Sequence, residues 1–240
     1  MAYPGVWLRD DVYATHGHYC DRHTTVPMFE RLGAGVMARI ISEPDGAPVS
    51  AEDYERVLAP IYAWIHSMAE HRGPDIGRSS HGPSTQAWRV LAGGRRRRMT
   101  GRGARALLAR GGAAARRSAV IAGFGAAVAA INRLGIGPVR TDLSGPELRR
   151  ASLRAFGEVV ERLGVDARWV VFGHSHRAGP LPDDERSEWR APGGAAILNT
   201  GCWVHEPSFV GPDPARSPYR AGFAVSLKDE GPPELLNLLD

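Results

Sequence analysis

The sequence predicts an α/β fold in which strands near both ends of the chain flank a mostly helical middle. Residues 1–41 hold short β-like runs, residues 42–164 carry apolar residues at helical spacing, and residues 165–240 return to β-like runs. With 240 residues, 43% of them hydrophobic, the chain is long enough to bury a core. We therefore expect one core, built from both ends of the chain, with a helical insertion.

The first strand and the first helix are predicted from local signals. Residues 11–15 form a β-like run that ends just before His16. A helix is predicted to begin after Ser50, because a serine N-cap followed three residues later by Asp53 is a variant of the capping box. The apolar residues that follow repeat at helical spacing and form its predicted buried face: Tyr54, Val57, Leu58, Ile61, Ile65 and Met68.

A second helix and three further strands are predicted after residue 143. Ser144 and Glu147 repeat the capping signal ahead of a helix that we expect to end at Leu163. Its predicted buried residues are Leu148, Leu153, Phe156, Val159 and Val160. Short apolar runs predict strands over 168–172, 195–198 and 222–227. Residues 73–117 are rich in Gly, Arg, Ser and Pro, which predicts loops around a broken helix.

Composition indicates a cytoplasmic protein. The two cysteines, Cys20 and Cys202, form no CxxC pair, as is typical of a reducing compartment. The N-terminal residues lack the pattern of a signal peptide. The most apolar run, 119–131, is shorter than the roughly 20 residues that a membrane span needs. Residues 120–128 imitate a dinucleotide-binding fingerprint but lack its third glycine, so a tightly packed or membrane-touching helix is the preferred interpretation.

Basic residues outnumber acidic ones, giving a formal net charge of +4. Arginines concentrate over 95–117, beginning with the run Arg95–Arg98. This stretch is interpreted either as a solvated loop or as a surface that gathers an anionic substrate or an anionic membrane, which would place the protein at the membrane periphery. No aromatic residues alternate with these arginines, so nucleic acid is not an expected partner.

Two histidine pairs follow predicted strands. His174 and His176 come directly after the run that ends at Phe172, and His16 and His18 follow the first strand. Side chains two residues apart on a strand project to the same face, so each pair is expected to present two imidazoles together. Either pair alone is typical of exposed or hydrogen-bonded histidines. Together the pairs favour a metal site, because imidazole nitrogens bind Zn, Mn and Fe.

These motifs resemble those of a known family. The segment 170–176 with its Gly173-His174-Ser175-His176 motif, followed by Asn199-Thr-Gly-Cys-Trp203, resembles the closing motifs of calcineurin-like metallophosphoesterases. Thr15-His16-Gly17-His18 resembles the histidine motif that precedes them. The resemblance implies part of a four-layer αββα sandwich, with its core in residues 1–41 and 165–240 and a helical cap inserted over 42–164.

The resemblance also implies a site and a reaction. Two divalent metal ions (Mn, Fe or Zn) would be bound, one by His16 and His174 and the other by His176. His18 would act catalytically beside the substrate, and the turn that contains Asn199 and Gly201 would contact the substrate. The implied activity is hydrolysis of a phosphate monoester, diester or pyrophosphate by a metal-bridging hydroxide. The implied partner is a phosphate-ester small molecule or a lipid headgroup; the oligomeric state is not indicated.

The carboxylate motifs of that family are missing from the expected place. D-x-H, G-D-x-x-D and G-N-H-[DE] would precede His16, where they do not occur. Asp21-Arg22-His23 matches D-x-H but follows His18, so Asp21 and His23 are interpreted as substrate-side contacts rather than metal ligands. Carboxylates normally offset the repulsion between two cations. We therefore expect an N-terminally truncated member of the family; the alternative is a catalytically incomplete fragment or a non-catalytic binding remnant.

Overall fold

The computed structural model describes residues 3–40, 48–71, 122–204, 207–211 and 213–240. These residues form a mixed α/β structure with a four-stranded sheet, a two-stranded hairpin and several helices. The predicted loops over 73–117, with their arginine-rich run, lie outside the described residues. The proposal that this run contacts an anionic surface therefore stays a prediction.

The main sheet contains strands β1 (Gly5–Arg9), β2 (Val12–Thr15), β3 (Trp169–Phe172) and β4 (Ala196–Asn199), in the order β1-β2-β3-β4. β1 pairs antiparallel with β2, whereas β2, β3 and β4 are mutually parallel. The predictions of β2, β3 and β4 are confirmed to within a residue or two. Because parallel strands end at the same edge, the segments that follow these three strands lie beside one another.

Both faces of the sheet are covered at the parallel strands β2, β3 and β4, as expected for short, nearly continuous apolar strands, whereas β1 is largely exposed. One face packs on a helix, Gly145–Arg162, where the rings of Phe156 and Phe172 stack with centroids 3.9 Å apart. On the other face Val12, Val171 and Leu198 pack together, with Val225 against them. The helix therefore shares the core of the strands. The division into a core and a cap over 42–164 stays a prediction.

The α-helices of the described residues are α1 (Phe29–Ile40), α2 (Ala51–His71), α3 (122–133), α4 (Gly145–Arg162) and the short α5 (Pro207–Val210). Both predicted caps are confirmed. Ser50 Oγ lies 3.2 Å from the backbone nitrogen of Asp53, whose carboxylate accepts the N–H of Ser50, and the side chain of Ser144 accepts the N–H of Glu147. Four predicted face residues of α2 are buried: Tyr54, Val57, Leu58 and Ile61. The side chains of Ile65 and Met68 lie outside the described residues.

Residues 1–41 hold the expected short β-like runs, but helix α1, which occupies 29–40, was not predicted. Two glycines, Gly33 and Gly35, lower the intrinsic helix propensity of this segment. The structure uses them for close packing: a Cβ on Gly35 would lie 2.2 Å from the backbone oxygen of Ile136, and one on Gly33 would lie 3.2 Å from Ile61. Tertiary packing thus overrides the local preference.

A hairpin of β5 (Phe223–Ser226) and β6 (Glu234–Asn237) lies towards the C-terminal end of the described chain. The prediction of β5 is confirmed, and β6 was not predicted. In α3, Cβ atoms on Gly123 and Gly125 would meet none of the described residues within 4 Å, so the expectation of a tightly packed or membrane-touching helix stays a prediction. Among the described residues, none of the helices has both the length and the apolar character that crossing a bilayer requires.

Candidate metal centre

Three parallel strands bring the predicted site residues to one edge of the sheet. His16 directly follows β2, His174 lies two residues beyond β3, and Asn199 is the last residue of β4. Backbone hydrogen bonds tie the three ends together: Gly173 N donates to His16 O (3.2 Å), and Thr200 N donates to Phe172 O (2.9 Å). The segments singled out by the sequence therefore meet in space.

The turn after β3 is built differently from the prediction. His174 and His176 do not continue the strand; both have a positive φ, 46° and 60° respectively. The N–H of Ser175 donates to Gly173 O at 2.5 Å, closing a three-residue turn around His174. The strand alternation expected for the pair is therefore wrong. Non-glycine residues rarely adopt positive φ, and such residues are concentrated at functional sites.

The buried side chain of Asn199 holds this turn. Its amide nitrogen donates to Gly173 O (2.8 Å) and to Ser175 Oγ (2.7 Å), and its amide oxygen accepts the N–H of Gly201 (2.8 Å). Asn199 is only 1% exposed. The roles of Asn199 and Gly201 in substrate binding stay predictions; the contacts observed here are those of a brace beneath the histidines.

The turn after β2 uses glycine instead. Gly17 has φ 100°, and a Cβ there would lie 2.8 Å from the Phe172 ring. A 3₁₀ helix, His18–Arg22, follows immediately. This tight start brings His16, His18 and Asp21 to the same region within six residues of chain.

Three imidazole rings cluster across the two turns. The ring centroids of His16 and His18 are 5.2 Å apart, those of His16 and His174 are 5.1 Å apart, and those of His18 and His174 are 6.5 Å apart. The Nδ1 atoms of His16 and His18 are 3.2 Å apart. Two nitrogen ligands bound to one zinc at about 2.0–2.1 Å lie roughly 3–3.4 Å apart, so both can bind one cation. His18 therefore has the geometry of a ligand as well as that of the predicted catalytic residue.

Asp21 lies against the histidine cluster. Its Oδ2 is 2.9 Å from His174 Nε2 and also accepts a hydrogen bond from the hydroxyl of Tyr62. The carboxylate is buried, with 1% of the residue exposed. Donor atoms of Cys20, Asp21 and His174 all lie within 4.8 Å of one another, so this group could hold a metal ion. A substrate-side role for Asp21 stays a prediction. In the structure Asp21 contacts His174, which is a predicted metal ligand.

Two glutamates from the helices complete the surroundings. Glu55 on α2 accepts a hydrogen bond from Tyr19 Oη (3.0 Å) and lies 3.3 Å from His18 Nε2. Glu30 on α1 lies within electrostatic range of Asp21 and His174, and burial raises its pKa, to which the charge of Asp21 adds. Neutral imidazoles are thus not the only groups here, because three carboxylates accompany them.

The electrostatics favour neutral imidazoles at three positions. Burial lowers the pKa of His16, His18 and His176, and neighbouring histidines lower it further. At His174 burial also disfavours the charged form, but the hydrogen bond and the charge of Asp21 outweigh burial and raise the pKa. Metal ligation requires the neutral imidazole, so the ring nitrogens of His16, His18 and His176 are available near neutral pH.

His23 lies apart from this cluster. Its Nε2 is 2.7 Å from Tyr54 Oη, and its Nδ1 is 3.2 Å from Glu158 Oε1. Burial lowers the pKa of His23 to about 4, although the charge of Glu158 opposes this effect. Its role at the substrate stays a prediction; in the structure it joins the first turn to α2 and α4.

Sequence reasoning missed Tyr62 and Glu55, which reach the cluster from α2, and Glu30 on α1, which lies within electrostatic range of it. One signal was present: Glu55 and Tyr62 are seven residues apart, about two helical turns, and so share one face of α2. That face adjoins the buried residues Leu58 and Ile61. Polar side chains beside an apolar face of a helix indicate that they contact another polar group. They do not indicate which group that is.

Comparison with known proteins found no match: no family model, no curated protein and no solved structure resembles the chain significantly. The site is therefore interpreted from its own geometry.

Proposed function

We propose that the chain is a metal-dependent phosphoesterase that hydrolyses a phosphate monoester, diester or pyrophosphate in the manner of the calcineurin-like class. One observation carries the proposal: histidines from two parallel strand ends converge at one edge of the sheet, with ring centroids 5.1 Å apart between His16 and His174. We infer with it that the mixed α/β structure is part of a four-layer αββα sandwich in a cytoplasmic protein.

The donor set fits divalent cations. Imidazole nitrogens and carboxylate oxygens together suit Mn, Fe and Zn. In the proposal His16 and His174 hold one cation and His176 contributes to a second. His16 and His176 are exposed, so a phosphoester can approach them from solvent. When bound, the cations supply Lewis-acid activation of the phosphoryl group and of the attacking water.

The chain's own groups would orient the substrate and move a proton. His18, 24% exposed at its side chain, lies between the exposed His16 and the carboxylate of Glu55. Glu55 orients the imidazole, and the neutral His18 would accept a proton from the attacking water and then return it to the leaving oxygen as the P–O bond breaks. Asn199 fixes the backbone that carries His174 and His176, so that they stay in position during turnover.

Metal content and turnover test the proposal. The purified chain is dialysed against Mn²⁺, Zn²⁺ or Fe²⁺, bound metal is counted by mass spectrometry, and hydrolysis of bis-p-nitrophenyl phosphate is followed. We expect turnover to be lost and the amount of bound metal to fall in His176→Ala, and both to be kept in His66→Ala, a matched control on an exposed part of α2. Turnover that survives His176→Ala, or that needs no metal, contradicts the proposal.

A second candidate is a metal-binding or phosphate-binding remnant without hydrolysis. It is favoured by the state of the carboxylates: Asp21 is bonded to Tyr62 and His174, and Glu55 to Tyr19. Carboxylates held by protein donors are less free to bridge two cations. Metal retention without turnover supports this candidate over the phosphoesterase.

A further inference from the structure

We propose that Asp21, held by Tyr62, is the positioning residue that fixes the orientation and tautomer of His174, so that His174 binds metal through Nδ1. The inference rests on the proposed metal site and assigns a role to a carboxylate that the sequence motifs leave outside it. Asp21 follows His18 by three residues and is thus delivered by the 3₁₀ helix rather than by a strand end.

The hydrogen bond itself carries the first step. Asp21 Oδ2 lies 2.9 Å from His174 Nε2, at normal hydrogen-bond distance, with Asp21 only 1% exposed. In the neutral imidazole that binds metal, a carboxylate at this position accepts the Nε2–H and leaves the lone pair on Nδ1. Metal-ligating histidines commonly donate their second ring N–H to such a partner, which fixes the ring and increases its strength as a ligand.

The turn around His174 explains why such a brace is needed. His174 has φ 46°, and the backbone around it is closed by a single short turn. A side chain on a strained turn is not aimed by regular secondary structure. Asp21 fixes the ring from one side, while Asn199 fixes the backbone from below through Gly173 and Ser175. The two anchors come from different segments, so the orientation depends on the folded structure.

Tyr62 fixes Asp21 in turn. Its hydroxyl donates to the same Oδ2 that faces His174, and it reaches this position from α2. The chain of contacts therefore runs from α2 through Tyr62 and Asp21 to His174. The competing arrangement is a metal held directly by Cys20, Asp21 and His174 Nε2, whose donor atoms also lie within 4.8 Å of one another. The two arrangements require opposite nitrogens of His174.

Nuclear magnetic resonance on histidine-labelled protein separates them. Long-range proton–nitrogen correlations identify, in the full chain loaded with Zn²⁺, which ring nitrogen of His174 carries the proton and which carries the metal. We expect Nε2–H and zinc-bound Nδ1. Zinc on Nε2 overturns the inference, because Asp21 would then be a direct ligand.

Zinc affinity, measured by competition with a chelating dye, provides the second readout. Asp21→Asn keeps the size of the side chain but can offer an amide N–H to Nε2, so we expect a 10–100-fold weaker affinity. Tyr62→Phe should weaken it less, and Cys20→Ala, the matched control, less than twofold. Equal affinity in wild type and Asp21→Asn, or loss of zinc in Cys20→Ala, overturns the inference.

Two further outcomes separate this inference from the proposed function. If zinc binds with the expected tautomer and the expected effect of Asp21→Asn, but no phosphoester is hydrolysed, the proposed function fails and the inference stands. If the wild-type chain retains none of Zn²⁺, Mn²⁺ and Fe²⁺, both fail; if it retains Mn²⁺ or Fe²⁺ but no zinc, only the inference fails. Circular dichroism melts of each variant in EDTA ensure that weaker zinc binding is counted only for variants that fold.

Discussion

In the turn after β2 the residue with a positive φ is a glycine, whereas in the turn after β3 the residues with a positive φ are His174 and His176. The first turn also ends in buried side chains: Asp21 and Tyr19 are 1% and 2% exposed. The second turn leaves His176 exposed and is held from beneath by Asn199. One turn is thus stabilised by its own packing, and the other carries backbone strain that its neighbours must offset.

The two turns share a base, and removing that base should have the largest effect. Phe172 is 2% exposed, stacks on Phe156 and lies beside the first turn, where a Cβ on Gly17 would be 2.8 Å from its ring. We expect Phe172→Ala to lower the free energy of unfolding by about 3–5 kcal/mol, because it removes apolar contacts and leaves a cavity. Equilibrium unfolding in urea measures the change.

Leu236→Ala is the control for that experiment, since Leu236 is 41% exposed on the hairpin. Its cost should stay within about 1 kcal/mol. Similar costs for the two variants would show that the turns do not depend on a common core.

The two turns also show which features of the site can be predicted from the sequence and which cannot. His16, His18, His174 and His176 follow apolar runs, so strand prediction places them beyond the ends of two strands; the parallel pairing of the strands then brings those ends to one edge. Capping signals likewise locate the starts of α2 and α4. These features depend on neighbours close in the chain.

Other features depend on packing between distant segments. Tyr62 reaches Asp21 only because α2 docks beside the first turn, and a D-x-H match out of order gives no sign of that contact. Helix α1 is not predicted from the sequence, because Gly33 and Gly35 lower its helix propensity. Both glycines allow close packing of the helix instead. The positive φ of His174 cannot be predicted from the sequence either, because a histidine does not indicate that backbone conformation.

His23, which follows the 3₁₀ helix after the first turn, should make the stability of the chain depend on pH. Burial lowers the pKa of His23 to about 4 from its ordinary 6.5, so the unfolded chain binds more protons than the folded chain between those pH values. Stability should therefore fall as the pH drops from 6.5 towards 4, by roughly 3 kcal/mol in total from this group.

Substitution isolates that contribution. His23→Gln can still meet Tyr54 and Glu158 but does not titrate, so its unfolding free energy should change less between pH 7 and pH 4 than that of the wild type. The exposed His66→Gln is the control and should keep the wild-type profile. If His23→Gln and the wild type have parallel profiles, His23 does not link the first turn to pH.

Two substitutions, one in each turn, should have the smallest effects on stability. Their effects should be opposite in sign, so they test the difference between the two turns most directly. Gly17→Ala forces a side chain into φ 100° and against Phe172, and should cost about 1–2 kcal/mol. His176→Gly relieves a positive φ of 60° at an exposed position and should stabilise the metal-free chain by up to about 1 kcal/mol.

Thermal unfolding in EDTA measures both variants, and repeating it with Zn²⁺ links strain to function. Zinc should raise the melting temperature of the wild type, because it binds the folded state, and should raise that of His176→Gly less. His176→Gly would then be the more stable chain without metal and lose that advantage when zinc is present. If His176→Gly destabilises the metal-free chain, the turn after β3 is not strained, and the contrast between the two turns lies only in their burial.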